Sequence, residues 1–307
     1  MANIKLFSVK DGIKELESKT VTLEKNLQKI IEDNMETFFG VTFLKSEYVT
    51  TNGGRMDSIG IDENYCPVIF EYKRNQDENI INQGLFYLDW LVNNKDSFKV
   101  LVIEKLGIEK LGIKKFNEIF DKIDWTAPRI ICIAHDFSKY DKSAINQMTR
   151  NISLIRYEYF NNEYLMFEQV NENISKRVEG IEKNHKSSNS QNTTFEENYN
   201  NISDELKNLY AELQDYILGH GDDVSEHRLK FHSAFKKIKN IICVTISKNQ
   251  LYLYLKLDAD TVEYEDGFSE NVTKKGHLGT GNVKIILKNK EDLNKAKDLI
   301  TRAYNEN

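Results

Sequence analysis

Hydrophobic and polar residues follow two different periods along the first half of the chain. Over 23–39 the apolar residues stand mostly three and four positions apart, which is typical of one buried face of a helix. Shorter strand-like and helical patterns follow. They predict strands at 55–62 and 68–73, a helix at 79–92, a strand at 99–103, a further helix, and a strand at 129–134. This order of elements indicates an α/β domain.

A polar segment then divides the chain. Residues 171–200 hold five hydrophobic residues in thirty and are rich in Ser, Asn and Thr, a composition that cannot bury a core. We therefore expect a first domain over 1–170, a linker over 171–200 and a second domain over 201–307. The length agrees with this division, because 307 residues is about twice a common domain length.

The second domain is predicted to be a small α+β unit. Ser203, followed by acidic residues and a helical apolar pattern, is typical of a capped helix, which ends near Gly219. Asn289 is predicted to cap a last helix that ends near Tyr304. Between them lie predicted strands at 241–246, 251–257 and 283–287. The Gly-rich stretch 276–281 leads into a strand and lacks the Lys-Ser/Thr of a P-loop, so it predicts a tight connection.

Composition and charge exclude several classes of protein. The chain has 42 Lys and Arg against 48 Asp and Glu, a net charge of −6, which argues against a surface coated in positive charge for sequence-blind nucleic-acid binding. Its longest apolar runs have five residues, whereas a membrane helix needs roughly 20. The N-terminus lacks the apolar core of a secretory signal, and Cys66, Cys132 and Cys243 form no C-x-x-C pair. We expect a cytoplasmic protein with reduced thiols.

Three charged residues can meet on one face of the predicted hairpin. Glu71 and Lys73 are two positions apart on one strand, so their side chains point to the same side, about 7 Å from each other. A turn centred on Asn64 places Asp57 opposite Glu71. The residues at 62–66 suit that turn, and Pro67 stands at the strand entrance, where a missing N–H is tolerated. The hairpin therefore predicts one site formed by Asp57, Glu71 and Lys73.

Two carboxylates and an ammonium group on one face suit the hydrolysis of phosphate esters. Carboxylate oxygens are the ligands that Mg²⁺ or Mn²⁺ takes, so Asp57 and Glu71 are candidate metal ligands. Lys73 is placed to orient the attacking water or to offset the negative charge that develops. Glu24 borders the buried face of the first helix and is a candidate outer ligand through water, although an ordinary exposed position suits its spacing as well.

These residues resemble the core of the PD-(D/E)xK nuclease superfamily. The segments Arg55-Met56-Asp57 and Glu71-Tyr72-Lys73 match its D…E-x-K pattern, with Met56 in place of the Pro of the motif. Glu24 and the helical segment QGLFYLDWL, which begins at Gln83, resemble the RecB-like and NucS-like DNA endonucleases in particular.

The resemblance spans residues 20 to about 165 and implies a restriction-endonuclease-like fold, in which a central four-stranded mixed sheet is flanked by helices. It also implies a Mg²⁺- or Mn²⁺-dependent endonuclease that acts on DNA, with Gln83 supporting the active site. A homodimer is expected by the same analogy. The whole chain further resembles a two-domain uncharacterised bacterial family sometimes labelled a predicted transport protein, a label that the missing membrane segments do not support.

Flanking residues add candidates for DNA binding. Arg55 shares the strand side of Asp57 and suits a phosphate contact, whereas Arg74 has the opposite parity to Lys73 and reaches the site only if the strand ends there. Gln83 suits a capping or core-edge amide as well as a site residue. The basic run over 228–239 has phenylalanines at helical spacing, and it suits either a helix that faces nucleic acid or a solvated amphipathic face.

Two other functions stay open at this point. The same fold serves as a catalytically inactive module that binds nucleic acid or a protein partner, and this alternative predicts no dependence on metal. An enzyme that hydrolyses another phosphodiester, in RNA or a nucleotide, is the third possibility. The spacing of the residues does not separate these from a DNA endonuclease.

Overall fold

The computed structural model describes residues 4–10, 12–19, 24–73, 79–106, 123–161, 163–173 and 193–307. The chain forms two units. One is made of Met1–Thr37, Val41–Ile61 and Cys66–Lys176, and the other of Phe38–Gly40, Asp62–Tyr65 and Arg177–Asn307. None of the helices within the described ranges is both long and apolar enough to cross a bilayer.

The first half of the chain alternates strands and helices. In chain order these elements are β1 (Leu6–Ser8), β2 (Lys14–Leu16), β3 (Ser18–Lys19), α1 (Glu24–Asp33), α2 (Met35–Phe39), β4 (Val41–Val49), β5 (Arg55–Asp62), β6 (Pro67–Lys73), α3 (Ile80–Asn93), α4 (Lys95–Leu106), β7 (Arg129–Ala134), α5 (Lys139–Ile145), β8 (Asn151–Phe160) and β9 (Tyr164–Asn173). The strands predicted at 55–62 and 129–134 and the helix predicted at 79–92 are confirmed.

Among the described residues, seven strands form one mixed sheet in the order β3-β8-β7-β6-β5-β4, with β9 paired to β8. Strand β6 runs antiparallel to β5 and parallel to β7. The four strands β4 to β7 are the mixed sheet that the resemblance implies, and β8, β3 and β9 extend it. Helix α1 packs on β4 and β6, and α3 packs on β6 and β7. The predicted α/β fold with a helix-flanked mixed sheet is confirmed.

The two faces of the sheet carry different side chains. Ile59 and Ile69 belong to the apolar core that includes Leu88 of α3. The alternate residues turn to the other face, where Ser58 donates a hydrogen bond to Glu32 of α1. Because successive strand residues alternate sides, Glu71 and Lys73 share the α3 face with Ile69, and Asp57 is hydrogen-bonded to this part of β6.

The prediction of a strand at 99–103 is wrong. These residues lie within helix α4, where Phe98, Leu101 and Val102 are buried. A short apolar run rich in valine and isoleucine suits a buried strand or a buried helix equally well, and here the helical spacing of the buried residues decides. The helix predicted after it falls largely on 107–122, outside the described residues.

The C-terminal part of the chain folds around a second sheet. Its elements are α6 (Phe195–Asn201), α7 (Asp204–Leu218), β10 (Ser225–Arg228), β11 (Ser233–Lys236), β12 (Asn240–Ser247), β13 (Gln250–Leu255), β14 (Ser269–Asn271), β15 (Val283–Leu287) and α8 (Lys290–Glu306). The six strands pair antiparallel in the order β10-β11-β12-β13-β15-β14. The predicted second α+β unit is confirmed.

Both predicted helix caps are present. The Ser203 side chain accepts a hydrogen bond from the backbone N–H of Leu206, and Asn289 accepts from the N–H groups of Glu291 and Asp292. These bonds satisfy amides that have no partner inside their helices. Helices α7 and α8 bury Leu213 and Ile300 in the apolar core over the sheet.

Two expectations for this part of the chain need correction. The helix considered for the basic run over 228–239 is absent, since β10 and β11 form a hairpin that pairs Arg228 with Ser233 and Glu226 with Phe235. The ends of the segment 171–200 also belong to regular elements, because β9 extends to Asn173 and α6 begins at Phe195. Phe195 is fully buried and Tyr199 packs on the same core, so two aromatic residues anchor a helix whose other residues are polar.

Candidate active site

Asp57 and Glu71 lie side by side on adjacent strands. The register pairs Ile59 with Ile69 and Ile61 with Pro67, as the hairpin geometry predicts. Each carboxylate is close to a backbone amide of the opposite strand. Asp57 Oδ2 accepts from the N–H of Tyr72 at 3.0 Å, and Glu71 Oε1 accepts from the N–H of Asp57 at 3.4 Å. The two side chains are therefore held next to each other where β5 and β6 meet.

The turn that joins the two strands has the predicted chemistry. Asp62 accepts a hydrogen bond from the N–H of Asn64 at 2.9 Å, and the Asp62 carbonyl accepts from Tyr65. Tyr65 has a φ of 63°, which closes the turn. This connection sets the register that places Asp57 next to Glu71.

The surroundings of the two carboxylates favour a nearby cation. Glu71 is 2% exposed. Burial raises the pKa of Asp57 above its ordinary range, and Glu47 raises it further, against the opposing effects of the Tyr72 amide, Lys73 and Arg55. A desolvated carboxylate is stabilised in its charged form by positive charge within reach. Lys73, at the end of β6, supplies part of that charge.

On strand β7, the residue next to Glu71 is an uncharged cysteine. Glu71 pairs with Cys132 of the parallel strand β7. Burial raises the pKa of the Cys132 thiol well above its ordinary value, and the charge of Glu71 adds to this effect. Cys132 is therefore a neutral thiol that packs beside the site and supplies no charge to it.

A hydrogen-bonded network on the opposite face of the sheet holds the backbone of Asp57. The amide of Gln28 in α1 donates to the carbonyl oxygen of Asp57 at 2.9 Å and to Ser46 of β4 at 3.1 Å. Ser58 donates to Glu32 at 2.6 Å and accepts from the hydroxyl of Tyr72 at 3.1 Å. Hydrogen bonds thus join helix α1 to the segment of β5 that carries Asp57.

This support was not predicted from the sequence. Gln28 and Glu32 stand one helical turn apart, beside the apolar residues Leu27 and Ile31. Polar residues that border the buried face of a helix can indicate hydrogen bonds to the sheet below, and this was the signal that the sequence offered. Their partners lie in β4, β5 and β6, which no local pattern reveals.

The structure brings together only part of the predicted set. Glu24 is the first residue of α1, one turn before Gln28, and its side chain lies outside the described part of the structure. Gln83 lies in the first turn of α3 with an exposed side chain, and no hydrogen bond joins it to the described residues of the site. Arg74 belongs to the range 74–78, which the structure does not describe.

Arg55 stands beside Asp57 and is paired with a residue that the sequence did not single out. Its Nε is 2.8 Å from Glu47 Oε2, on the neighbouring strand β4. Its side chain is 64% exposed. Arg55 lowers the pKa of Asp57 and Glu47 raises it, so both charges act on the site. Glu47 was missed because the stretch 41–49 was not assigned to an element.

Three basic residues of the C-terminal sheet are paired or buried. Arg228 is paired with Glu226 and Glu196 and covers the ring of Tyr199. Lys236 is 3% exposed, and Lys237 is paired with Asp223. Arg228 and Lys237 thus have acidic partners within the unit and Lys236 is buried, which fits neither the helix that faces nucleic acid nor a fully solvated face.

The carboxylate pair matches the donor preference of Mg²⁺. In the described ranges there is no group of three or more His, Cys, Asp and Glu residues arranged to hold a metal. Mg²⁺ does not require one, since it commonly uses one or two carboxylates together with water and substrate phosphates. Asp57 and Glu71 supply the type of oxygen donor that this ion takes.

Comparison with known proteins adds sequence relatives for both parts of the chain. Residues 195–307 match the profile of DUF5655, a family described as a domain of unknown function. A protein of Haemophilus influenzae, described as an uncharacterized protein, is 26% identical over 308 residues, which cover 98% of this chain and 99% of that protein.

Two solved structures are similar to part of the chain. A repair endonuclease from Pyrococcus abyssi is 17% identical over 46% of this chain and 50% of its own, with a TM-score of 0.29. A complex of EndoMS with double-stranded DNA is 17% identical over 50% of this chain and 59% of its own, with a TM-score of 0.26. The matches thus span little more than half the length of those chains. Similarity at this level carries no argument about function, and the α/β fold rests on the strand order itself.

Proposed function

We propose that the N-terminal part of this protein, over about residues 1–170, is a metal-dependent phosphodiester hydrolase, and that its substrate is DNA. The observation that carries this proposal is the pairing of Asp57 with Glu71 on adjacent strands, each carboxylate held by an amide of the other strand. Lys73 lies on the same face, and its charge reaches Asp57. Two hard oxygen ligands and one cation are the parts that this chemistry requires.

In this proposal Asp57 and Glu71 hold Mg²⁺ or Mn²⁺. When bound, such an ion polarises a phosphoryl oxygen and lowers the pKa of its water. Lys73 orients the attacking water or offsets the negative charge that grows on the phosphoryl oxygens. The hydrogen bonds from Gln28 and Tyr72 keep Asp57 from moving away from Glu71, so the ligands need little rearrangement.

Arg55 is proposed to contact the DNA backbone. Its exposed guanidinium lies next to Asp57, and guanidinium groups bind phosphate oxygens through several donors at once. Glu24 and Gln83 stay in the proposal as supporting residues implied by the nuclease resemblance, and Arg74 stays as a second candidate for a phosphate contact. The C-terminal unit would select the substrate or a partner.

A second candidate is a nuclease-like module without turnover that binds nucleic acid or a protein. The observation in its favour is that Asp57 and Glu71 each already accept a backbone hydrogen bond, so their pairing is stabilised by the fold itself. This alternative predicts no cleavage and no effect of divalent ions.

Cleavage assays separate the two candidates. Single-stranded, branched and mismatched DNA are incubated with Mg²⁺ or Mn²⁺ and the full-length protein, Asp57→Ala or Lys73→Ala. We expect cleavage by the wild type and a loss of about 100-fold or more in both variants, as for removal of a transition-state contact. The control is Asp33→Ala, an exposed carboxylate of α1 that pairs with Lys29. Activity that survives in both site variants eliminates the mechanism.

A further inference from the structure

Glu47 and Arg55 form an ion pair beside the proposed active site. Glu47 lies in β4, and its Oε2 is 2.8 Å from Nε of Arg55 at the start of β5. Arg55 is two residues from Asp57 on the same strand. The ion pair thus stands next to Asp57, at the end of β5 where the proposed site lies.

The backbone of Glu47 is strained within its strand. Its φ is 51°, in the left-handed region that L-residues other than glycine avoid. An ion pair at the surface contributes little to stability, so the contact with Arg55 does not offset the cost of this conformation. Strain of this kind inside a strand is typical of positions where a side chain is directed to a functional site.

The sign of the charge makes Glu47 an unexpected residue for this position. Its carboxylate is held 2.8 Å from Nε of Arg55, two residues from Asp57, so a negative charge stands beside the proposed site. A carboxylate repels DNA phosphates, so on charge alone it weakens substrate binding. A role for Glu47 in holding Arg55 accounts for this. An Arg55 side chain that is held in place binds phosphate better than one that moves freely.

We propose that Glu47 is a positioning residue that holds the Arg55 guanidinium next to Asp57, ready to bind a backbone phosphate of the nucleic-acid substrate. This inference rests on the proposed function. A guanidinium has five N–H donors, more than one carboxylate accepts, so Arg55 keeps donors for phosphate oxygens while Glu47 holds its Nε side. The strained backbone of Glu47 directs the carboxylate toward Arg55.

The test measures DNA affinity in EDTA, where no divalent ion supports turnover. Fluorescence anisotropy of a labelled DNA duplex is compared for full-length wild type, Glu47→Ala, Arg55→Ala and the double variant. We expect each single variant to weaken binding by about fivefold or more, and the double variant to be no weaker than Arg55→Ala. Glu47→Gln retains an acceptor for Arg55 and is expected to recover part of the loss.

Two further variants make the result specific. Asp96→Ala also removes one exposed carboxylate that is paired with a cation, here Lys99 at 2.7 Å, and it is expected to leave the affinity unchanged. Glu47→Gly removes the carboxylate and relieves the strain at φ 51°, so it is expected to fold at least as well as Glu47→Ala and to lose the same affinity. Agreement of the Gly and Ala variants excludes a folding defect as the cause.

The outcomes distinguish this proposal from the function on which it rests. If wild type binds DNA and Glu47→Ala binds equally well or more tightly, Glu47 acts only through its charge and the positioning role is wrong, while the proposed function stands. If wild type binds no DNA in EDTA, the Arg55 phosphate contact and the positioning role of Glu47 both fail, while the proposed hydrolysis is decided separately by the cleavage assay with Mg²⁺ or Mn²⁺. Weaker binding by Glu47→Ala in an Arg55→Ala background also overturns the positioning role, because the effect would then not pass through Arg55.

Discussion

The Asp57 carboxylate accepts a hydrogen bond from the backbone N–H of Tyr72 at 3.0 Å, although burial raises the pKa of Asp57. The site therefore keeps a carboxylate where its charged form is partly disfavoured. Such a group is stabilised by a bound cation and is a source of instability without one. This conflict between folding and function leads to the first prediction.

Asp57→Asn should stabilise the metal-free protein near neutral pH. The folded-state pKa of Asp57 is raised above its ordinary value of 3.8, so its contribution to stability is present below that pH and is lost as the pH rises through the raised pKa. Asn keeps an acceptor for the Tyr72 amide and has no charge to desolvate. Urea denaturation in EDTA should show an advantage for Asp57→Asn at pH 7 that shrinks toward pH 4. The same comparison with the exposed Asp33→Asn should show no such trend. An advantage that grows toward pH 4 would contradict the prediction.

The network on the α1 side of the sheet gives a second prediction. Gln28→Met keeps the size of the side chain and removes the amide that donates to the Asp57 carbonyl and to Ser46. We expect a loss of about 1–3 kcal/mol in the free energy of unfolding, because two partly buried acceptors lose their donor. Chemical denaturation measures this loss. Asn26→Met, an exposed change on the same helix, should stay within about 0.5 kcal/mol of wild type. Equal stabilities of the two variants would show that the network does not support the site.

Close packing of β4 on β5 gives a third prediction. A Cβ atom at Gly60 would lie 2.4 Å from Cγ1 of Val41 and 2.8 Å from the Thr42 carbonyl oxygen. Gly60→Ala must therefore push β4 away, and we expect it to destabilise the protein by about 1–3 kcal/mol. Thermal or chemical unfolding measures the change. The control is Gly276→Ala, where no atom lies within 4 Å of the added carbon. A neutral effect of Gly60→Ala would mean that the strands separate easily.

Much of the fold and of the site geometry follows from local patterns. The register of β5 and β6 was predictable because a two-residue period and a recognisable turn leave few ways to close the hairpin. The same reasoning brings Asp57, Glu71 and Lys73 to one face. The capped helices α7 and α8 were predictable because capping depends on residues that are neighbours in sequence.

Other features depend on contacts between distant segments. The prediction of a strand at 99–103 failed because a short apolar run is compatible with a buried strand and with a buried helix. Which of the two forms depends on the segments that pack on it. The roles of Gln28 and Glu47 depend on partners in other strands. A left-handed φ is usually predicted from a glycine, and position 47 is a glutamate. Sequence reasoning thus found the charged residues of the site and missed the residues that hold them.

The central claim is that Asp57 and Glu71 together bind one divalent cation. Titration calorimetry with Mn²⁺ on the metal-free full-length protein tests it most directly, with Asp57→Asn and Glu71→Gln as site variants and Asp33→Asn as the control. We predict saturable binding by wild type and by the control, weakened about tenfold or more in each site variant, as expected when one of only two ligands is removed. Absence of saturable binding to wild type, or equal binding by all four proteins, would contradict the claim.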